Sequence, residues 1–432
     1  MLFSIRNPES AIRKTRDTGE YENDSRRRTL ARSARDASLR KVSEAVASGV
    51  ARTEALDLEA VRAERVVIAS PARIDFGGGW TDTPPQCLER GGVILSAAVR
   101  LNGEYPIRVS CEKIEERAIR IESAEARGGH TLRAVADLPR YQRLDDPFGL
   151  VKAALGAIGL CNEGAPDLPP LENRLEQWGH GLRITTRGNV PKGSGLGTSS
   201  ILGAAAIACL RRVFGAPLDT TTIFRQVLYL EQLLTSGGGW QDQLGALVPG
   251  IKLAQVPADP AFVLRPKVEP LDLSEEILGQ INRRLVLFYV GKRRVAFNML
   301  REIVVGYLSG NPDADHALRA LSDLAFEMRE SLLAGDLDCF GAQMTRTRLL
   351  YRLLCPATTS DLLETIFAAA SPYVSGGKCA GAGGGGFVML MARSEKDAGL
   401  LRERLTDFSW RGLGEFYDFD VDLRGLHEAQ KE

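Results

Sequence analysis

Pro191-Lys192-Gly193-Ser194-Gly195-Leu196-Gly197-Thr198-Ser199-Ser200 decides how this chain is read. It follows a strand-like run, Leu182 to Arg187, and opens a helix-like run through Ala204, Ala205, Ala206, Ile207 and Leu210. Small residues let backbone N–H groups crowd onto an anion, and the following helix adds its positive N-terminal end. The hydroxyls of Thr198, Ser199 and Ser200 are placed to reach a phosphate oxygen or a Mg²⁺ ion. The stretch reads as a phosphate cradle, with a plain Gly/Ser turn as the competing reading. It is not a Walker-type loop, because Lys192 precedes the glycines instead of following the last of them. The dinucleotide pattern fails as well: position 198 is Thr, and no ribose-binding acid follows in a clear βαβ frame.

Two more glycine-rich segments flank it. One is Pro71-Ala72-Arg73-Ile74-Asp75-Phe76-Gly77-Gly78-Gly79-Trp80-Thr81-Asp82-Thr83-Pro84-Pro85. The other is Lys378-Cys379-Ala380-Gly381-Ala382-Gly383-Gly384-Gly385-Gly386-Phe387-Val388. In this order, across most of residues 66–393, the three segments resemble the signature motifs of the GHMP small-molecule kinases, the superfamily of galactokinase, homoserine kinase, mevalonate kinase and phosphomevalonate kinase.

That resemblance implies ATP and Mg²⁺ as cofactors, and phosphoryl transfer needs a cradle, a metal, a group for the acceptor hydroxyl, and positive charge. The cradle is 191–200. Glu231 and Asp242 are the candidate carboxylates: Glu231 near the end of an apolar helix, Asp242 after the turn Gly237-Gly238-Gly239-Trp240. Their spacing of 11 residues matches that between the Mg²⁺-ligating Glu and the base Asp of GHMP kinases. The resemblance therefore assigns Ser199 and Glu231 to the metal and Asp242 to the acceptor hydroxyl. A carboxylate beside an arginine stays ionised, orients the hydroxyl and accepts its proton late. The blander readings are a surface salt bridge for Glu231 and a helix N-cap for Asp242.

Arg73 occupies the family position for a cation beside the catalytic Asp, where it steadies the transferring phosphoryl; otherwise it is a strand-end surface arginine. Asp82 matches the family's sugar-hydroxyl-binding Asp, and Gly381 to Gly386, with Gly383 and Gly384 at the centre, should bring backbone N–H groups close to the transferring phosphate. Lys292 and Arg294, in the pattern Gly-Lys-x-Arg, stand either at the substrate or as solvated charges at a helix start.

Within the superfamily, Gly79 and Trp80 stand where galactokinases carry Glu-His, which argues against galactose. Heptose-7-phosphate kinases tend to read Gly-Gly-Lys-Gln-Asp-Gln around the base, whereas this chain has Gly-Gly-Trp240-Gln241-Asp242-Gln243. Trp80, Trp240, Asp75, Asp82-Thr83-Pro84-Pro85, Asp146-Pro147-Phe148 and Pro249-Gly250-Ile251-Lys252 resemble the L-fucokinase branch instead. A lysine next to the base suits a phosphorylated sugar; a tryptophan suits apolar contact with a deoxy-sugar methyl or a C–H face. Core packing is the alternative for either tryptophan. The resemblance implies L-fucose, or a close sugar, phosphorylated at its anomeric hydroxyl, with Asp75, Trp80, Asp82 and Trp240 as substrate contacts. The competing expectations are a heptose 7-phosphate kinase and a sugar- and ATP-binding regulator without catalysis. Some fucokinases are fused to a nucleotidyltransferase; residues 1–62 are too short for one, so this chain is expected to lack that activity.

Lys+Arg and Asp+Glu balance at 55 each, so no global field favours nucleic acid or a membrane surface as partner. No apolar run approaches transmembrane length, and the N-terminus has no signal-peptide pattern. The 7 cysteines are scattered without C-x-x-C spacing and the 4 histidines without ligand spacing. This composition predicts reduced thiols in a cytoplasmic protein without a zinc site.

Residues 1–62 are expected to form a helical N-terminal extension with a basic patch around Arg26 to Lys41 and a helical-looking segment from Leu39 to Glu64. Residues 63–258 are expected to be the ATP-binding domain and 259–432 the C-terminal domain, with a Pro-rich crossing over Val256 to Glu275. Strand-like runs at 66–68, 93–95, 107–109, 119–121, 285–290, 387–391 and 416–421 mix with helical runs at 148–158, 199–213, 221–234, 295–308, 317–333 and 340–354. There is no regular βαβ alternation, so the fold class is α+β. The resemblance refines this to the two-domain GHMP kinase fold: an N-terminal ribosomal-protein-S5-like α/β domain and a C-terminal ferredoxin-like α+β domain.

Overall fold

The structure is a computed structural model and describes residues 56–126, 128–138, 146–161, 169–191, 193–234, 238–259, 264–291, 296–408 and 414–430. The N-terminal basic patch, Lys192, Lys292 and Arg294 lie outside the described residues. Helices and strands mix as an α+β protein should, and the described residues form two compact units. The first unit comprises 56–75, 96–252 and 416–430; the second comprises 76–95 and 253–415.

The first unit is built on a six-stranded sheet in the order His427–Glu428, Arg65–Ser70, Ile107–Ile114, Gly181–Gly188, Ile119–Ser123, Gly129–Leu132. Neighbours run antiparallel except Ile119–Ser123 beside Gly181–Gly188, which are parallel. The period-two pattern is plain in Ile107–Ile114: Ile107, Val109 and Cys111 are buried, while Arg108, Ser110 and Glu112 are half-buried. Against the buried face lies the helix Thr198–Val213, which packs on Arg65–Ser70 and Ile107–Ile114. Ala204 to Leu210 are buried without a break, as expected of a central helix apolar on all sides. Its small side chains let the helices Gly149–Ala157, Thr220–Leu233 and Gln241–Leu247 approach closely.

The end of the chain returns to this unit. Phe419–Val421 pairs antiparallel with residues 99–101, and Asp422 continues the contact through its N–H to Ala98 O (2.8 Å) and its carbonyl from Gly250 N–H (2.7 Å). The strand expected over 416–421 is broken at Asp418, whose backbone N–H and C=O both turn to Asn102.

A helix was expected to run through to Glu64, but residues 56–64 form none. Tertiary partners take their backbone instead. The Leu58 carbonyl accepts Arg174 Nη1 (3.3 Å) and Trp178 Nε1 (3.1 Å), and the N–H groups of Arg62 and Ala63 reach Val213 O. Leu58 itself is buried.

In the second unit, Phe387–Ala392 lies between Val374–Cys379 and Leu285–Tyr289, antiparallel to both, and is buried on both faces. The helix Leu337–Leu354 packs on Val374–Cys379 and on the helix Pro312–Leu333. The latter begins five residues before the expected start at Ala317. Asn311 caps it, its Oδ1 accepting from Asp313 and Ala314 N–H, and Pro312 occupies the first helical position, where no N–H is needed. Among the described residues no helix is long and apolar enough to cross a membrane.

Within the helix Glu395–Phe408, Gly399 is exposed, and a methyl group there would meet nothing within 4 Å. Gly399→Ala should therefore stabilise the second unit by about 0.5–1 kcal/mol through helix propensity alone. A urea unfolding midpoint that stays put or falls would contradict this.

Candidate active site

The phosphate-loop expectation falls on the first unit. Gly193, Gly195 and Gly197 all have positive φ (74°, 87° and 71°), alternating with Ser194 and Leu196. Such alternation turns successive N–H groups to one side and makes an anion-binding concavity. The helix Thr198–Val213 starts at Gly197 with no side-chain cap and no acidic residue in its first turn, so the positive end of the helix is left for a ligand. Ser199 is exposed on that turn. Ser194 is buried, and among the described residues its Oγ has no hydrogen-bond partner.

Arg73 and Asp242 come together beside this loop, as the sequence predicts. Arg73 is 2% exposed; its Nη1 donates to Asp75 Oδ1 at 2.9 Å and its Nη2 to Asp242 Oδ1. Its backbone N–H donates to Leu196 O (3.3 Å), tying the arginine's strand to the glycine loop. Gly197 lies so near Asp242 that a Cβ there would stand 3.1 Å from the carboxylate carbon. The Asp242 side chain keeps 30% exposure whereas Asp75 is fully buried. Asp75, expected as a substrate contact, here holds the guanidinium from the closed side.

Asp242 is not an N-cap. Trp240 holds that position of the helix Gln241–Leu247, and Asp242 sits in the first turn, where a carboxylate is favoured by the helix dipole. Trp240 is 1% exposed, so its ring lies in the packing. One turn on, Gly245 faces Arg73, and a Cβ there would overlap Arg73 Cγ. Sequence reasoning missed Gly245: an isolated glycine in a short helical stretch carries no signal of what packs against it.

Glu231 is buried near the end of the helix Thr220–Leu233. Its Oε2 stands 3.7 Å from the position a Cβ would take on Gly238, so the glycine turn leaves room at the carboxylate. A buried carboxylate and the hydroxyl of Ser199 are the hard oxygen donors that Mg²⁺ takes, usually alongside water and phosphate oxygens. Among the described residues no cluster of three or more His, Cys, Asp or Glu stands ready for a metal.

The first glycine motif divides after Asp75, and Phe76 onward belongs to the second unit. Thr81 fixes the turn: its Oγ1 lies 2.7 Å from Gly78 O and 2.9 Å from Val93 O, and accepts Val93 N–H at 3.0 Å. Trp80 takes a left-handed backbone (φ 73°), rare for a bulky residue. Its ring is buried among Met299, Ile303, Tyr307 and Leu354 and meets Tyr351 edge-on (centroids 6.4 Å apart). Asp82, two residues on, is buried.

In the third glycine segment Gly381, Gly383, Gly384, Gly385 and Gly386 all have positive φ. A Cβ on Gly383 would come within 2.9 Å of Thr358 O. The N–H groups of Gly384 and Gly385 turn to the thiol of Cys379, whose pKa is raised to about 11, chiefly by burial and against the pull of those two donors.

Residues 170–250 match the model of the GHMP kinases N terminal domain, and residues 328–409 that of the GHMP kinases C terminal. The chain is 36% identical over 359 residues to the bifunctional fucokinase/GDP-fucose pyrophosphorylase of Arabidopsis thaliana, a match covering 83% of this chain and 32% of that protein. It is 32% identical over 362 residues to the L-fucokinase/L-fucose-1-P guanylyltransferase of Bacteroides fragilis, covering 84% of this chain and 38% of that protein. The chain thus spans about a third of the length of these two relatives. With the D-glycero-alpha-D-manno-heptose 7-phosphate kinase of Campylobacter jejuni it shares 25% identity over 340 residues, 77% of this chain and 91% of that protein. A glycine loop opening an uncapped helix, an Arg73–Asp242 pair beside it, and matches to both domain models place this chain in the GHMP kinase family.

Proposed function

We propose that the chain is an ATP-dependent, Mg²⁺-requiring sugar kinase that phosphorylates the anomeric hydroxyl of L-fucose or a close sugar. The observation that carries this reading is the buried Arg73, bonded at once to Asp75 and Asp242 and tied through its backbone to the glycine loop. A sensor of sugar and ATP has no use for a carboxylate ion-paired at the edge of a phosphate cradle. The choice of sugar rests on the two fucokinase relatives.

The glycine loop and the helix start at Thr198 hold the donor phosphates, and Ser199 with Glu231 hold Mg²⁺, which when bound neutralises charge on the phosphate oxygens. Asp242, ion-paired with Arg73, orients the sugar hydroxyl. As the hydroxyl oxygen bonds to the γ-phosphorus and the bond to the β-bridging oxygen breaks, the hydroxyl proton passes to Asp242 and ADP leaves. Arg73 stabilises the charge that develops on the transferring group. In the second unit, Asp82 and the 381–386 loop are the substrate contacts that the family resemblance implies. Trp240 and Trp80 are both buried, and Thr81 fixes the turn that leads to Asp82.

Purified protein with Mg-ATP should release ADP in the presence of L-fucose, and less or none with D-arabinose, D-mannose, D-galactose or heptose 7-phosphate. Turnover on heptose 7-phosphate alone would keep the kinase reading and replace the sugar; sugar and ATP binding without turnover would favour the regulator. Asp242→Asn should lower kcat by about 10²–10⁴-fold with nucleotide binding retained. An active Asp242→Asn enzyme would remove the base assignment.

Gly245→Ala tests the support of the site. The added methyl must push Arg73 aside, so kcat should fall by about 10–100-fold with little change in KM for ATP. Unchanged kcat would show that Arg73 has freedom which its packing does not suggest.

A further inference from the structure

Lys252 is 1% exposed and has no part in the mechanism above. Its ammonium reaches three backbone carbonyls: Gly245 O at 2.5 Å, Val248 O at 2.6 Å and Gly250 O at 3.3 Å. Gly245 and Val248 lie at the C-terminal end of Gln241–Leu247, the helix that presents Asp242 in its first turn. These carbonyls lack partners further along the helix and carry its negative pole. A single cation therefore gathers the end of that helix and the turn that follows it.

The opposing charge comes from the end of the chain. Asp422 is buried; its carbonyl accepts Gly250 N–H at 2.7 Å, and its Oδ1 accepts Gly425 N–H at 2.6 Å and Arg424 N–H at 3.1 Å. Leu426 N–H adds a bond to Ala246 O inside the helix (3.0 Å). Removal from water pushes the Lys252 pKa from its usual 10.5 to about 7, with Asp422 raising it and Arg73 lowering it. Around Asp422 stand Tyr105, which shares a hydrogen bond with it, Arg424 and His427.

We propose that Lys252 is a positioning residue for Asp242: with Asp422 as its counter-ion, its ammonium clamps the C-terminal end of the helix Gln241–Leu247, and so fixes where the first turn delivers Asp242 to Arg73. The helix is only 7 residues long, so its two ends move together. Gly245 belongs to both halves of the device, its carbonyl taken by Lys252 and its bare Cα facing Arg73. The link to turnover rests on the reading of Asp242 as the group that accepts the hydroxyl proton.

The clamp predicts a pH dependence. Lys252 is protonated below its folded pKa and loses its charge as pH rises through about 7, so turnover should fall on that limb. Asp422→Asn keeps an oxygen for the Arg424 and Gly425 N–H groups but removes the anion, which lowers the Lys252 pKa further and moves the limb to more acidic pH.

The experiment is a kcat–pH profile of the full chain, wild type, Lys252→Met and Asp422→Asn, with whichever panel sugar supports turnover, alongside amide exchange over residues 241–247. Lys252→Met should lower kcat by about 10–100-fold at pH 6, leave KM for ATP within about twofold, and lack the alkaline limb. Amide exchange over the helix should rise in the same variant. That change does not depend on the role of Asp242 and separates failure of the clamp from failure of the base assignment. If Lys252→Met does not fold, the acid shift of the limb in Asp422→Asn decides alone. Equal pH profiles in wild type and Asp422→Asn, or a Lys252→Met enzyme that keeps its kcat and limb, would overturn the proposal.

Discussion

A buried guanidinium is the constraint around which the first unit is arranged. Arg73 is almost wholly withdrawn from water, which costs several kcal/mol unless opposite charge and hydrogen-bond acceptors replace the lost solvent. Asp75 and Asp242 supply both, one from two residues away on the same strand and one from 169 residues along the chain. The pairing is asymmetric. Asp75 is sealed in, whereas Asp242 keeps an open side and can meet a second molecule while remaining ion-paired.

That pairing dictates local sequence. The strand must lie against the glycine loop, which it does through Arg73 N–H and Leu196 O. Gly197 must lack a side chain because Asp242 stands over it, and Gly245 because Arg73 lies across it. Three segments far apart in sequence thus meet at one point, each with a glycine or a backbone atom where a larger group would not fit.

Much of this was legible before any coordinates. Alternation at Ile107–Val109 and Ile119–Ile121 and the apolar run after Thr198 gave strands and a helix where they are found, because burial follows those periods directly. Arg73, Asp242 and the 191–200 loop converge as their motifs predict. What escaped depended on tertiary partners. Residues 56–64 have helical composition but give their backbone to Arg174, Trp178 and Val213. Gln241–Leu247 is too short to show a period, and its role comes from what lies at its two ends. Nothing in the sequence around Lys252 signals that the fold buries its ammonium. Trp80 and Trp240 were readable as sugar contacts or as core, and the fold buries both.

The account stands or falls on the bond that is made. A ³¹P–¹H correlation spectrum of the product from Mg-ATP and L-fucose tests it most directly. The account predicts a phosphate resonance coupled to the sugar H1, which identifies phosphate on the anomeric oxygen. A phosphate coupled to a proton elsewhere on the ring, or only free phosphate alongside ADP, would contradict it.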